Sequence, residues 1–160
     1  MRKILLAGIT FLTIFIVMAS ICPSMAAENE VAVKEECIAK CKEAAAMVKE
    51  IGIEATLEKL NKKDGPFVWK DTYVFSIDIE SGKCLAHPFL PKAIGKVMTR
   101  NKDKQGKLYV VEFINIAKSK GEGWVDYVWP KPGEKTPSTK STYLYKVPDM
   151  NVIMLSGIYK

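Results

Sequence analysis

The sequence contains a single histidine and four cysteines among its 160 residues. A zinc site needs several Cys or His ligands at close spacing, and this chain does not provide them. Cys37 and Cys41 are separated by three residues and are followed by Lys42, which is not the pattern of a haem attachment site. No Gly-x-Ser-x-Gly motif accompanies the lone histidine. These absences argue against a metal site, a haem and a nucleophilic hydrolase.

The charged residues also lack the arrangements that catalysis or nucleic-acid binding requires. The carboxylates of Asp71, Asp78, Asp103 and Asp126 show neither metal-ligand spacing nor a paired acid–base arrangement. Lysine and arginine are interspersed with acidic residues, whereas a nucleic-acid-binding domain concentrates them in one patch. We therefore expect no enzymatic activity, no cofactor and no nucleic-acid partner.

The composition is that of one soluble domain behind a leader. Hydrophobic residues make up 48% and charged residues 26% of the chain, which are ordinary globular values. The run from Ile4 to Ile21 has no charge and follows two basic residues, and small residues follow it up to Ala26. This order predicts a signal peptide over residues 1–26, with a retained membrane anchor as the alternative. We interpret Cys22 as part of the leader.

The mature chain would keep three cysteines and a modest positive charge. Loss of Arg2 and Lys3 leaves 22 basic and 18 acidic residues, which lowers the net charge from +6 to +4. The odd number of cysteines leaves one of Cys37, Cys41 and Cys84 free or paired between chains. Their pairing does not follow from the sequence.

Hydrophobic periodicity divides the mature chain into a helical segment, 27–66, and a sheet region, 67–160. A seam with helical spacing predicts a long helix, which Gly52 separates from a short helix over residues 54–60; the seam comprises Val33, Cys37, Cys41, Ala44, Val48 and Ile51. Alternation from Tyr73 to Ile79 predicts a half-buried strand, and Ser81-Gly82 turns it into a hairpin. A helix before Gly121 and three more strands complete an α+β domain, with a five-stranded antiparallel sheet and its helices on one side.

Short motifs across residues 67–159 resemble the single-Cache ligand-binding domain. Those of its first half are Asp71-Thr72-Tyr73-Val74-Phe75, Asp78, Gly82, Ala86-His87-Pro88 and Ile94-Gly95-Lys96. Those of its second half are Gly121-Glu122-Gly123-Trp124-Val125-Asp126-Tyr127-Val128-Trp129-Pro130, Lys140-Ser141-Thr142-Tyr143 and Gly157-Ile158-Tyr159. The resemblance implies a PAS-like fold, in which a long N-terminal helix lies behind the sheet.

The resemblance also implies a function. Members of this family are extracytoplasmic sensor modules of chemoreceptors and histidine kinases, and many bind small organic acids such as acetate, propionate, pyruvate, lactate or malate. In receptors the last strand continues into a second transmembrane helix, whereas this sequence ends at Tyr159-Lys160. We therefore expect a free-standing, periplasmic or secreted domain that binds a C2–C4 carboxylate and acts through a membrane receptor, histidine kinase or transporter. The alternative is an interaction module of such a system without a small-molecule ligand.

The family motifs imply one ligand site with donor side chains and an apolar wall. The residues that they place there are Tyr73, His87, Pro88, Tyr127, Trp129, Pro130, Lys140 and Tyr143. For several of these residues a structural role is an open alternative. His87 contacts the ligand or bonds to a neighbouring loop, and Tyr127 and Trp129 line the pocket or only pack on the sheet. Lys140 pairs with the ligand acid or lies on the surface.

The helical seam allows two arrangements as well. Its small side chains permit close approach of a partner surface, such as the same helix of a second copy in a homodimer. Two cysteines four residues apart on one straight helix project from successive turns, so a bond between them would distort the helix. In the alternative arrangement, both thiols are buried against the sheet.

We predict that the protein is exported and cleaved near Ala26, because a basic start, an apolar run and small residues form the order of a signal peptide. Intact-mass spectrometry of protein from its native host should show a chain that has lost residues 1–26. A mass that still includes Met1 would contradict cleavage and indicate a tethered protein.

Overall fold

The structure is a computed structural model that describes residues 31–160. The signal peptide assigned to residues 1–26, and Cys22 within it, lie outside the described residues. Within residues 31–160, no helix combines the length and the apolar character needed to cross a bilayer.

Two helices begin the described chain. Helix α1 covers Lys34–Ile51 and helix α2 covers Ile53–Leu60. The first turn of α1 is fixed by Glu36, whose carboxylate accepts a hydrogen bond from the Val33 N–H at 3.1 Å and satisfies a donor that the helix leaves free. Gly52 separates the helices because its φ of 86° suits a residue without a side chain. The predicted long helix is confirmed.

The rest of the chain forms a five-stranded antiparallel sheet and a small hairpin. The hairpin consists of β1 (Val68–Trp69) and β2 (Thr72–Tyr73). The sheet has the order β4-β3-β7-β6-β5, with strands β3 (Phe75–Asp78), β4 (Cys84–Ala86), β5 (Glu122–Pro130), β6 (Pro137–Lys146) and β7 (Val152–Tyr159). A 3-10 turn at Pro91–Ala93 and helix α3 (Tyr109–Ser119) lie between β4 and β5. The predicted α+β, PAS-like architecture is confirmed.

The helices lie on both faces of the sheet, so their placement on one side was wrong. Helix α1 packs on β6 and β7, where Cys41 and Ala44 join a core with Met154. Helix α3 packs on the opposite face, where Phe113 joins a second core with Leu155. The sequence showed that each helix has an apolar stripe, but the stripe itself does not indicate which face of the sheet it covers.

The strand from Thr72 to Asp78 is buried on both faces, which corrects the half-buried interpretation. Thr72 and Ser76 are fully buried. Their hydroxyls donate to the backbone carbonyls of Gly157, at 2.5 Å, and Ile153, at 3.0 Å. A short hydroxyl can be buried at little cost when it is hydrogen-bonded in this way. Alternating Thr and Ser therefore marks a buried face here.

The seam on α1 packs against the sheet of its own chain. Cys37, Cys41 and Cys84 are all buried and unlinked. The partner surface predicted for this seam is wrong, since β6 and β7 already cover it. A homodimer through another face of the helix stays a prediction. Burial raises the pKa of Cys37 and of Cys84 to about 11, so both remain thiols at neutral pH.

Gly157 sets the close approach of β6 and β7. A Cβ at this position would overlap the Ser141 carbonyl oxygen and lie 2.5 Å from Thr142 Oγ1. Backbone atoms in a sheet cannot move aside as the end of a side chain can, so only glycine fits.

We expect Gly157→Ala to lower the free energy of unfolding by about 1–3 kcal/mol, the usual cost of overpacking. Gly123→Ala is the matched control, because a Cβ there meets only the Ile116 side chain, at 2.8 Å. Urea denaturation of both variants and of wild type provides the measurement. An equal loss in the two variants would contradict the special role of Gly157.

Candidate functional site

Two adjoining cavities lie on the α3 side of the sheet. The inner cavity has a volume of about 20 Å³, which is room for about one water molecule. Its lining consists of Phe75, Ile77, Cys84, His87, Leu90, Met98, Tyr109, Val110, Tyr127 and Trp129. The wall is therefore mainly apolar and aromatic, with few polar groups.

The outer cavity is larger, at about 180 Å³. It is lined by Tyr73, His87, Phe89 and Leu90, by the end of β5 at residues 129–130, and by the loop that follows at residues 131–134. Three residues, His87, Leu90 and Trp129, line both cavities. The two spaces therefore form one site with a narrow inner part and a wider outer part.

Lys140 is fully buried beside this site, and its ammonium nitrogen has no hydrogen-bond partner among the described residues. Three aromatic rings surround the Nζ atom, with centroids at 4.2 Å for Tyr73, 4.7 Å for Tyr159 and 5.6 Å for Phe75. Burial disfavours the charged form and lowers the pKa of Lys140 to about 7. Lys140 lines neither cavity, but Tyr73 lies against both the ammonium group and the outer cavity. The interpretation of Lys140 as a surface residue was wrong.

A second buried polar atom lies near Lys140. The Oδ1 atom of Asp71 accepts a hydrogen bond from the Ala32 N–H at 2.9 Å, whereas its buried Oδ2 has no hydrogen-bond partner among the described residues. The nearest cation that reaches Oδ2 is Lys131 at 3.8 Å, beyond hydrogen-bond distance. The negative charge of Asp71 raises the pKa of Lys140 and so opposes part of the effect of burial. The two groups form no direct ion pair.

His87 is held in a single neutral form. Its Nδ1 accepts hydrogen bonds from the backbone N–H groups of Phe89, at 3.2 Å, and Leu90, at 3.1 Å. The ring proton therefore lies on Nε2. Burial lowers the pKa of His87 to about 3, and the positive charge of Lys140 contributes to the same shift. His87 thus has the predicted loop hydrogen bonds and also lines both cavities.

The tyrosines at the site keep their protons. Burial raises the pKa of Tyr109 to about 12 and holds those of Tyr73 and Tyr127 well above the usual tyrosine value. The ring of Tyr127 stacks on that of Tyr109 with centroids 4.6 Å apart, and its oxygen lies 3.4 Å from Thr142 Oγ1. Tyr127 therefore both packs on the sheet and faces the inner cavity.

The structure brings most of the predicted site residues together. Five of them line the cavities: Tyr73, His87, Tyr127, Trp129 and Pro130. Pro88 is buried after His87 but lines neither cavity. Whether any of these residues binds a ligand stays a prediction.

Tyr143 lies on the other face of the sheet and does not belong to this site. It packs in the core under α1, and its hydroxyl donates to the Glu122 carboxylate. The cause is the pleat of β6, which points Lys140 and Tyr143 to opposite faces because they are three residues apart. The same rule correctly separated Trp124 from Tyr127.

Sequence reasoning missed several residues of the wall. Tyr109, Leu90 and Met98 line the inner cavity, and Tyr159 lies against the ammonium of Lys140. Tyr159 belongs to the final motif and pairs with Lys140 across β6 and β7, so strand register would have identified it. Leu90 and Met98 come from an irregular segment without a periodic pattern.

Comparison with known proteins gives one family and several sensor domains. The model of the Cache domain family matches residues 34–160. The chain is 30% identical over 89 residues to a methyl-accepting chemotaxis protein of Pseudomonas putida, McpP, a match that covers 56% of this chain but only 16% of that protein.

Two solved structures are similar at the level of fold and sequence. One is a periplasmic sensor domain of a chemotaxis protein, with 28% identity, a TM-score of 0.60 and coverage of 78% of this chain and 88% of that chain. The other is a Cache chemosensory domain studied for carboxylic acid recognition, with 26% identity, a TM-score of 0.68 and coverage of 78% and 91%.

We predict that the imidazole of His87 stays neutral from pH 8 to pH 5. Its Nδ1 already accepts two backbone hydrogen bonds, so protonation would break them. Ring nitrogen shifts in the NMR spectrum are the measurement, and assignment is simple because the chain has one histidine. The urea-unfolded chain is the control and should titrate near pH 6.5.

The free energy of unfolding should accordingly fall as the pH drops from about 6.5 towards about 3, since only the unfolded chain takes up this proton in that range. A folded-state titration midpoint near pH 6.5 would contradict the arrangement.

Proposed function

Because the chain belongs to the Cache domain family, we propose that it binds a small organic acid of two to four carbons outside the cytoplasm and acts through a partner protein. The partner is a membrane receptor, a histidine kinase or a transporter. The protein is periplasmic or secreted, or membrane-tethered if the leader is retained. Binding is its activity, and no reaction is catalysed.

The observation that carries this proposal is the buried amino group of Lys140, which burial leaves only partly charged at neutral pH because it lowers the pKa to about 7. An ammonium group taken out of water without a counter-ion loses several kcal/mol of hydration. The three surrounding rings compensate in part, since each desolvated cation–π contact is worth on the order of 2 kcal/mol or more, but they leave the N–H donors of the ammonium group without an acceptor in residues 31–160. A carboxylate that reaches the ring of Tyr73 from the outer cavity supplies the missing negative charge. A small acid would therefore provide the negative charge that the site lacks beside Lys140.

Neutral donors and an apolar wall fit the rest of such a ligand. The Nε2–H of His87 and the hydroxyl of Tyr73 are donors that can replace water around a carboxylate. Trp129 and Pro130 offer an apolar surface for a short carbon chain. An acid of about six heavy atoms gains at most about 9 kcal/mol, so we expect micromolar dissociation constants.

The relatives support the same class of ligand. The Cache chemosensory domain with a TM-score of 0.68 is the subject of a study of carboxylic acid recognition. It shares 26% identity with this chain over most of its length. This likeness supports a carboxylic acid as the ligand class, and a thermal-shift screen of C2–C4 carboxylates and amino acids identifies the acid.

The small inner cavity favours a second candidate function. A volume of about 20 Å³ holds no organic acid unless the surrounding side chains move, so they nearly fill this part of the site. If the outer cavity also binds nothing, the protein is an interaction module of a sensor or transport system without a small-molecule ligand. The same screen separates the two functions, because an interaction module shows no thermal shift with any small acid.

We predict that Lys140→Met weakens binding of the acid found in the screen by about 1–2 kcal/mol, because Lys140 lines neither cavity and attracts the carboxylate across the ring of Tyr73 without a direct hydrogen bond. The same change should raise the melting temperature of the ligand-free protein, since it removes an unpaired buried charge at similar volume. Tyr127→Phe should weaken binding over a similar range if its hydroxyl faces the ligand. Calorimetric titration and thermal unfolding are the measurements.

Lys146→Met is the matched control, because Lys146 lies six residues further along β6, about 20 Å away. It should leave both affinity and melting temperature nearly unchanged. Wild-type affinity in Lys140→Met would remove Lys140 from the binding site.

A further inference from the structure

The segment between β4 and α3 carries a concentration of unpaired positive charge. From Lys83 to Lys107 the sequence has seven basic residues and one acidic residue, Asp103. The Asp103 carboxylate accepts hydrogen bonds from backbone N–H groups of Gln105, Lys107 and Val128. Six of the cations are exposed and pair with no carboxylate in residues 31–160: Lys83, Lys92, Lys96, Arg100, Lys102 and Lys104.

Apolar surface is exposed in the same segment. Six large hydrophobic residues are exposed in the described chain, and three of them, Ile94, Val97 and Leu108, lie here. A groove of about 200 Å³ opens beside them. We call it the basic groove, and it is lined by Leu90, Lys92, Ala93, Lys96, Met98 and Asn101.

We propose that the basic groove docks an acidic segment of a partner protein that also carries an apolar side chain, and that an acid bound in the outer cavity and extending into the inner one regulates this docking. Charge complementarity identifies the partner, because exposed lysines without counter-ions attract carboxylates. Leu90, Ala93 and Met98 provide the floor on which an apolar side chain is buried. A protein interface combines these two features in an apolar centre with a charged rim.

The shape of this surface favours a protein segment over an anionic membrane. The groove is a shallow recess, whereas a helix that binds a bilayer surface presents a continuous apolar face of Trp, Phe or Leu side chains. The exposed large hydrophobic residues in residues 31–160 include no aromatic one. A chain with carboxylates and one apolar side chain fits the groove better than lipid headgroups do.

The regulatory part follows from a shared wall and rests on the proposed function. Leu90 and Met98 line the inner cavity on one side and the basic groove on the other. Since the inner cavity holds about one water molecule, an acid that enters it displaces these two side chains. Their displacement changes the floor of the groove, so the bound acid alters the affinity of the groove for the partner.

Fluorescence anisotropy with a labelled peptide of alternating glutamate and leucine tests the docking. The mature protein should bind this peptide, with an affinity that falls as salt rises. The double variant Lys92→Glu/Lys96→Glu should bind at least about tenfold more weakly, because two attractions become repulsions. Lys118→Glu/Lys120→Glu is the matched control, with the same change in net charge on exposed residues at the far end of α3.

Equal weakening in the two double variants would overturn the docking site, because it would show an effect of net charge alone. Absence of peptide binding by wild type would overturn it as well. Tighter binding to phosphatidylglycerol vesicles than to the peptide, lost in the groove variant, would assign the surface to a membrane instead.

The regulation is tested by repeating the titration with saturating acid from the thermal screen. We expect about a fivefold change in peptide affinity, a typical coupling between two sites. Unchanged peptide affinity while calorimetry shows bound acid would overturn the coupling but not the docking. Failure of every acid to bind would contradict the proposed function and the coupling together, whereas the docking measurement without acid stands by itself.

Discussion

The amino group of Lys140 is buried without a carboxylate partner among residues 31–160, and the surrounding structure compensates for it. Tyr73 from β2 and Tyr159 from β7 bring ring faces within 4.2 and 4.7 Å of Nζ. This placement depends on strand register, since Lys140 lies opposite Tyr127 on β5 and opposite Tyr159 on β7. A shift of one residue would turn Lys140 to the other face of the sheet. The pairing of β5, β6 and β7 therefore determines both the fold and the electrostatics of the site.

The other face of the sheet explains why the site opens in one direction only. Helix α1 seals that face with small side chains such as Cys41 and Ala44. Beneath it, Thr72 and Ser76 donate to sheet carbonyls, so their hydroxyls need no water. Gly157 allows β6 and β7 to approach closely at the end of the sheet near Lys140. Within residues 31–160, the cavities beside Tyr73 therefore open on the α3 side, between the segment after β4 and the loop after β5.

Much of the fold could be predicted from the sequence, and the site only in part. Periodicity located the long helix and the hairpin. The Cache motifs pointed to Tyr73, His87, Tyr127 and Trp129. Tyr143 was misplaced although alternation along β6 would have turned it away from Lys140. The face that α3 covers, and the wall residues Leu90 and Met98, depend on tertiary packing of an irregular segment. Periodicity carries no information about such a segment, so only the structure locates those residues.

The narrow inner cavity has a kinetic consequence. If the proposed acid extends into this space for about one water molecule, its entry must wait until Leu90 and Met98 move aside. The rate of complex formation is then limited by the opening of the wall and levels off as the acid concentration rises. Release obeys the same restriction, because the acid leaves only when the wall reopens. The residence time of a ligand would thus be controlled by the packing of two apolar side chains more than by the strength of its polar contacts.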